Sequence, residues 1–302
     1  MRQATIILNP TAGRGTAGRL WPRIDARLRS LGLDFELATT QGAGHAVRLA
    51  EEAACRGCDL VVAVGGDGTA NEVLNGLLRA GGRGDGPCLG VLPVGTGNDF
   101  ACGADVPLAL DAACETLVAG VPQPVDVGCV RVDGGRPVYF GNGIGIGFDA
   151  IVLVESQKWP RLRGFLVYLV AVLRTILLYY HAPYTSWRVD DRQAAGAVMM
   201  VSVMNGRRLG GGFLVTPAAS MRDGLLDVCV AGTLSRPQML GFVPRFLRGT
   251  HVTDPRITTT RGRRVHVEIE SPWAAHMDGE LLGVDCRSFE IELLPGRLCL
   301  VA

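Results

Sequence analysis

The sequence predicts an N-terminal α/β nucleotide-binding domain on a parallel sheet, followed by a mostly antiparallel, β-sandwich-like domain. Three observations predict this. Strand-like and helix-like segments alternate over the first 120 residues, the pattern of a parallel sheet covered on both faces. The runs LVVAV (60–64) and LGVL (89–92) are apolar without interruption, as strands buried on both faces are. From about Val125 short strand-like runs dominate, with DG turn pairs at 133–134 and 278–279.

The elements follow in order. TIILN (5–9) is a β-branched strand, and RLWPRIDARLRSLG (19–32) a helix ending at Gly32. LDFELAT (33–39) and HAVRLAEEAACRG (45–57) are the second strand and helix. DLVVAV (59–64) and TANEVLNGLLRAG (69–81) are the third pair, CLGVLPV (88–94) and ALDAACETLVAG (109–120) the fourth. Thr69 and Glu72 stand at capping-box spacing, so the third helix is expected to start at Thr69. Beyond Val125, VDVGCVRV, PVYFGNG, YTSWRVD, AVMMVSVMN, LLDVCVAG, RRVHVEIE and SFEIELL read as strands, interrupted by helices near 149–181 and 236–248. The expected domains are 1–125 and 126–292, with a last strand, about 293–302, that can return to the first domain.

Composition narrows the function. The 302-residue chain is 48% hydrophobic and carries a formal charge of +1, enough for a sizeable core and no invitation to nucleic acid. Nine cysteines without a secretory leader predict reduced thiols and a cytoplasmic chain. The Cys55–Cys58 pair lacks a second CxxC or a histidine at zinc spacing, so packing is expected there. GFLVYLVAVLRTILLYY (164–180) is short of a membrane span and carries Arg174, so it reads as a buried or membrane-surface helix.

Ligands of a parallel α/β sheet sit beyond the carboxyl ends of its strands. Here four glycine-rich loops occupy those ends: NPTAGRGTAG (9–18), TTQGAGH (39–45), GGDGT (65–69) and PVGTGND (93–99). A helix starting after GGDGT would offer N–H groups to phosphate. Asp67 beside an anion makes sense with a divalent cation between them. Gly13, Gly15 and Gly18 form a GxGxxG, but Asn9–Ala12 separate it from the strand, unlike a dinucleotide fingerprint. Lys158 is the only lysine, and no GxxxxGK[ST] occurs, which excludes a Walker A loop. Phosphate binding must then rest on backbone amides, hydroxyls and Arg14.

NPTAG, VVAVGGDGTANEVLNG and LPVGTGNDFA resemble the diacylglycerol kinase catalytic family, in its bacterial soluble lipid-kinase branch, related to the sphingosine and ceramide kinases. The similarity continues through VDVG, YFGNGIGIGFDA, GGGFLVTPAASMRDGLLDV and MDGE, in order along nearly the whole chain. It implies an ATP-dependent, magnesium-requiring lipid kinase with its substrate cleft between two domains, acting at the inner face of the membrane. By motif, Asn9, Thr11, Thr40, Gly65, Gly66, Asp67, Gly68, Thr69, Asn71 and Thr96 would contact ATP. Asp67 would serve metal and phosphates, Asp126 would be a further acidic residue, and Glu280 would take the hydroxyl proton. Ser220, Asp223 and Leu225 would hold a structural magnesium. A membrane lipid is the implied substrate, and a homodimer is compatible with the sequence. Gly97 departs from the family's usual larger residue in GTxND. The alternatives are a soluble-substrate kinase of the NAD-kinase type, a non-catalytic nucleotide- or lipid-binding protein, and a dinucleotide oxidoreductase built on Gly13–Gly18.

Overall fold

The computed structural model describes residues 3–81, 86–159 and 165–302. The chain forms two compact units, Met1–Val127 with Pro295–Ala302, and Gly128–Leu294.

In the first unit, strands β1 (Ala4–Leu8), β2 (Phe35–Thr39), β3 (Leu60–Gly65) and β4 (Cys88–Pro93) pair in the order β2-β1-β3-β4, all parallel. Leu300 adds to Leu89 in the same sense. Helices α1 (Ala12–Ser30) and α5 (Leu110–Ala119) cover one face. There Ile24, Leu28, Cys114 and Leu117 bury against Ile6, Val62 and Leu92. Helices α2 (His45–Cys55) and α3 (Asp67–Arg79) pack against each other and against β1 and β3. A short helix α4 (Asp99–Gly103), not expected from the sequence, follows β4.

Two expectations fail here for physical reasons. Helix α3 starts at Asp67, not Thr69. Glu72 does not close a capping box on it; its carboxylate accepts from the N–H groups of Gly44 (2.7 Å) and Ala46 (2.9 Å) at the start of α2. The thiols are not all reduced: Cys88 and Cys299 form a disulfide, leaving seven free cysteines. Of the CxxC pair, Cys58 is buried with its sulfur 3.1 Å from the Thr5 hydroxyl, and Cys55 is exposed.

Strand β5 (Pro122–Val132) carries the chain into the second unit, where β6 (Val138–Phe140) pairs back onto it. Strands β7 (Gly143–Gly147), β8 (Tyr184–Val189), β9 (Arg192–Met204), β10 (Leu226–Gly232), β11 (Ile257–Gly262), β12 (Arg264–Met277) and β13 (Glu280–Val301) follow. They run antiparallel in the order β11-β10-β9-β7-β12-β13. Both β9 and β12 are long enough to pair with β8 over one half and β7 over the other. The expected helix at 149–181 is α6 (Phe148–Gln157) and α7 (Phe165–Leu178); residues 160–164 lie outside the described residues. With α8 (Arg236–Arg248) these helices bury Val152, Ile176, Met239 and Phe242 against Met199, Met204 and Cys229. Among the described residues no helix is long and apolar enough to cross a membrane.

Candidate active site

Strand geometry sets the nucleotide side of the site. A parallel sheet aligns its strand ends, and the register Gly65↔Pro93 brings GGDGT and PVGTGND level. The ladder continues one step further, with Val94 N–H donating to the Gly65 carbonyl at 2.9 Å. Beyond it the two loops touch backbone to backbone. A methyl group on Gly95 would lie 2.3 Å from the Gly66 Cα, so Gly95 has no room for a side chain, and one on Gly66 would be tight at 3.1 Å from the Gly95 Cα. The NPTAG loop joins the same cluster: Asn9 Nδ2 donates to the Thr69 hydroxyl at 3.0 Å. Asn9 Oδ1 in turn accepts from Thr11 through its N–H (3.2 Å) and hydroxyl (2.8 Å). Thr40 N–H donates to the Leu8 carbonyl at 2.9 Å, placing the second loop beside the first.

Gly13 explains the GxGxxG. With Arg14 and Gly15 it adopts left-handed backbone angles, φ 56°, 59° and 80°. A methyl group on Gly13 would sit 2.3 Å from the Val94 carbonyl oxygen. The glycine serves close packing of the first loop against the fourth, a role that needs no dinucleotide.

Asp67 lies in the first turn of α3, partly exposed, and its Oδ1 accepts the Phe100 N–H of α4 at 2.9 Å. The bond fixes the carboxylate between the third and fourth loops. No side chain caps α3. Gly66 and Gly68 are also partly exposed, and Thr96 is exposed. Gly65, Thr69 and Asn71 are buried. Asn71 Oδ1 accepts from Asn75 one turn on, at 3.1 Å, so Thr69 and Asn71 brace the loop from inside. Asp126 is 4% exposed, and its Oδ1 accepts the Gly296 N–H at 2.7 Å. The structure therefore gives it an anchoring contact within the returning chain.

The remaining candidates belong to the other unit. Met277 pairs with Glu280 across a two-residue turn, Asp278–Gly279, with φ 49° and 83°. Glu280 is exposed at the start of β13. Asp278 is buried and accepts three backbone N–H groups: Gly141 (2.7 Å), Asn142 (3.0 Å) and Gly143 (2.8 Å). It thus ties the MDGE turn to the FGNG loop, a role the sequence reading missed behind the DG turn signal. Below the turn, Gly145 pairs with Ser202 on one side and His276 on the other. Asp149 of α6 sits over that glycine and accepts the Ser202 hydroxyl at 2.8 Å. Burial pushes the Asp149 carboxyl up and the His276 imidazole down. The neighbouring Cys229 thiol is pushed up to about 12, first by burial and then by Asp149. In this cluster His276 is buried and Asp149 is partly exposed.

In the 220–225 stretch the acidic side chains find partners within the protein. Asp223 Oδ1 accepts the Leu225 N–H at 3.1 Å, and its other oxygen binds the Arg261 guanidinium, which also meets Asp227 at 3.1 Å. The Ser220 hydroxyl accepts from Arg222 N–H at 3.3 Å. The Arg261 guanidinium balances both carboxylates in this arrangement.

Comparison with known proteins bears on both units. The model of the diacylglycerol kinase catalytic domain matches residues 3–130. The model of the YegS C-terminal NAD kinase beta sandwich-like domain matches residues 142–302. The diacylglycerol kinase of Bacillus subtilis (strain 168) is 32% identical over 286 residues, covering 94% of this chain and 91% of its own. The diacylglycerol kinase of Mycobacterium tuberculosis is 32% identical over 269 residues, 88% of this chain and 85% of its own. A crystal structure of a diacylglycerol kinase from Bacillus anthracis shares the fold, with a TM-score of 0.76 at 24% identity over 99% of this chain and 96% of that one.

Proposed function

The chain belongs to the diacylglycerol kinase catalytic-domain family, and from that premise we propose that it moves the γ-phosphate of ATP to the hydroxyl of a diacylglycerol-like lipid, with magnesium at Asp67. Membership makes it a lipid kinase. The observation that carries the finer reading is the glycine junction of GGDGT and PVGTGND, with Asp67 fixed beside it by the Phe100 N–H.

Phosphoryl transfer asks a protein chiefly for positioning and charge neutralisation. The first turn of α3 carries no side-chain cap, so its N–H groups and dipole suit a phosphate. A carboxylate at that turn suits a hard cation. Magnesium commonly takes one or two carboxylates and fills its shell with phosphate oxygens and water. Among the described residues no three acidic, histidine or cysteine side chains gather as a preformed ion site, so the nucleotide would supply much of that shell. Bound there, the metal would neutralise charge on the transferring phosphate. Thr11, Thr40 and Thr96 would contact ATP from the neighbouring strand ends. Glu280 would accept the proton of the attacking hydroxyl, held in place by the Asp278 anchor two residues before it. Asp126, buried against Gly296, would act by positioning and not by touching substrate.

The test is transfer of labelled phosphate from ATP, with magnesium, to a lipid panel in mixed micelles. Asp67→Asn is the control, because its amide oxygen can still accept the Phe100 N–H. It should cut turnover by about 100-fold or more while leaving the fold intact. Labelling of a soluble acceptor in the absence of lipid would turn the reading to the soluble-substrate kinase. Nucleotide binding without any transfer would leave a non-catalytic binding protein.

A further inference from the structure

Helix α7 has no polar face. Val167, Ala171, Val172, Thr175 and Ile176 are buried against the second unit. The opposite side carries Leu166, Leu173 and Leu177, which recur at 7 and 11 residues from the first and so share one stripe of a 3.6-residue helix. That stripe is in water: Leu166 is 59% and Leu177 61% exposed. A helix apolar all round is expected either in a core or in contact with lipid, and one half of this one faces neither. The exposed apolar surface extends past the helix end through Tyr179, Tyr180 and Tyr184. It also extends onto α8, where Arg236 caps the Ile176 carbonyl at 3.1 Å, lies over the Tyr180 ring, and is followed one turn later by exposed Leu240.

The charge around the stripe has one sign. Residues 156–189 and 228–253 contain no aspartate or glutamate, while α8 alone contributes Arg236, Arg245 and Arg248. Asp254, 8% exposed, is bound by Arg245 of α8 and by Arg256. Glu155, 1% exposed, is bound by Lys158, Arg174 and the Tyr179 hydroxyl. Those bonds pin α7 to α6 and hold its leucines outward. Leucines flanked by tyrosines and arginines, with no acid on α7 or α8, match the interface of an anionic bilayer, where aromatic rings sit at headgroup depth and arginines meet phosphate. A second protein copy would bring the same cations to the same face.

We propose that the α7–α8 face, centred on Leu166, Leu173, Leu177 and Tyr180, is the surface by which this enzyme docks on anionic membranes. The inference rests on the lipid-kinase reading for its purpose but not for its test. The full chain, without nucleotide, is sedimented with vesicles of phosphatidylcholine alone and of phosphatidylcholine with phosphatidylglycerol. Binding is expected only to the anionic vesicles and should weaken with salt. Leu166→Asp/Leu177→Asp should weaken it by on the order of tenfold or more, while turnover of a short-chain, water-soluble diacylglycerol stays unchanged. Leu177→Trp, which keeps the face apolar, should show a blue-shifted emission on the same vesicles. Unchanged sedimentation of the double variant, or no blue shift from the introduced indole, would overturn the proposal. So would a wild-type dimer that the double variant dissociates without any vesicle binding, which would make the face a contact between copies. Vesicle binding without phosphorylation of any lipid would sink the kinase reading and leave the docking face standing.

Discussion

Asp278→Asn and Asp278→Ala should separate an anchor from a mere turn residue. The carboxylate is buried and accepts the N–H groups of Gly141, Asn142 and Gly143 at 2.7–3.0 Å. Leaving a buried donor without its acceptor costs about 1–3 kcal/mol. Asparagine keeps one oxygen, sufficient for Asn142 and Gly143, turns an amino group toward Gly141, and tolerates the left-handed backbone, so it should cost about 2 kcal/mol. Alanine abandons all three donors, at about 5 kcal/mol, and adds about 1 kcal/mol for φ 49°. For a unit of this size each kcal/mol moves Tm by roughly 2–4 °C. The expected shifts are about 6 °C for Asn and about 18 °C for Ala. Intrinsic fluorescence during a thermal melt reads the right unit, since Trp159, Trp187 and Trp273 belong to it and only Trp21 to the other. Because Glu280 leaves the same turn, kcat should fall in both variants with the KM for ATP unchanged. Equal shifts for Asn and Ala, or neither above about 1 °C, would refute the three-donor account.

Gly95→Ala would set a methyl group 2.3 Å from the Gly66 Cα and 2.8 Å from Asn98 Oδ1. The KM for ATP should rise by about tenfold or more as the loops part, measured as turnover against ATP concentration. Gly241→Ala in α8, where a methyl group meets nothing within 4 Å, should instead raise Tm slightly, by the equivalent of about 0.5–1 kcal/mol. Because Arg261 serves Asp223 and Asp227, a chelator should leave the melting temperature of the wild type unchanged. Arg261→Gln should lower it, and magnesium should then partly restore it in the same melt. A chelator-induced fall in the wild type would return a metal to the 220–225 turn.

Most of the first unit was legible because a parallel sheet buried on both faces writes itself as unbroken apolar runs, such as Leu60–Val64. Convergence of its loops was legible too, since a shared sheet edge collects strand ends. The partners within the loops were not. Glu72 sits at the spacing of a cap for its own helix, but Gly44 and Ala46 present N–H groups from another, and no local pattern announces that. Strand β7, GIGIG, went unread as a strand because alternate glycines look like a loop. They are small for what lies over them: the Met204 thioether at Gly143, Asp149 and His276 at Gly145, and the Trp273 ring at Gly147. The Asp278 anchor was hidden for a related reason. A DG turn explains itself locally, and the donors it serves lie about 136 residues upstream. Helix α7 was legible as apolar but not in its faces, since periodicity cannot show which side of an all-apolar helix finds a neighbour.

The first unit is interrupted by the second. Its chain stops at Val127 and resumes at Pro295, where Leu300 pairs with β4 and Cys299 meets Cys88. During synthesis the parallel sheet emerges early, yet β4 waits for its neighbour until Gly128–Leu294 has been made. At about 5–20 residues per second that delay is on the order of 10–30 s. Throughout it the unpaired β4 backbone is a template for any passing strand. The early half of the enzyme is thus the part most in need of shelter as it leaves the ribosome. A protein cut short at Leu294 would carry that open edge for life.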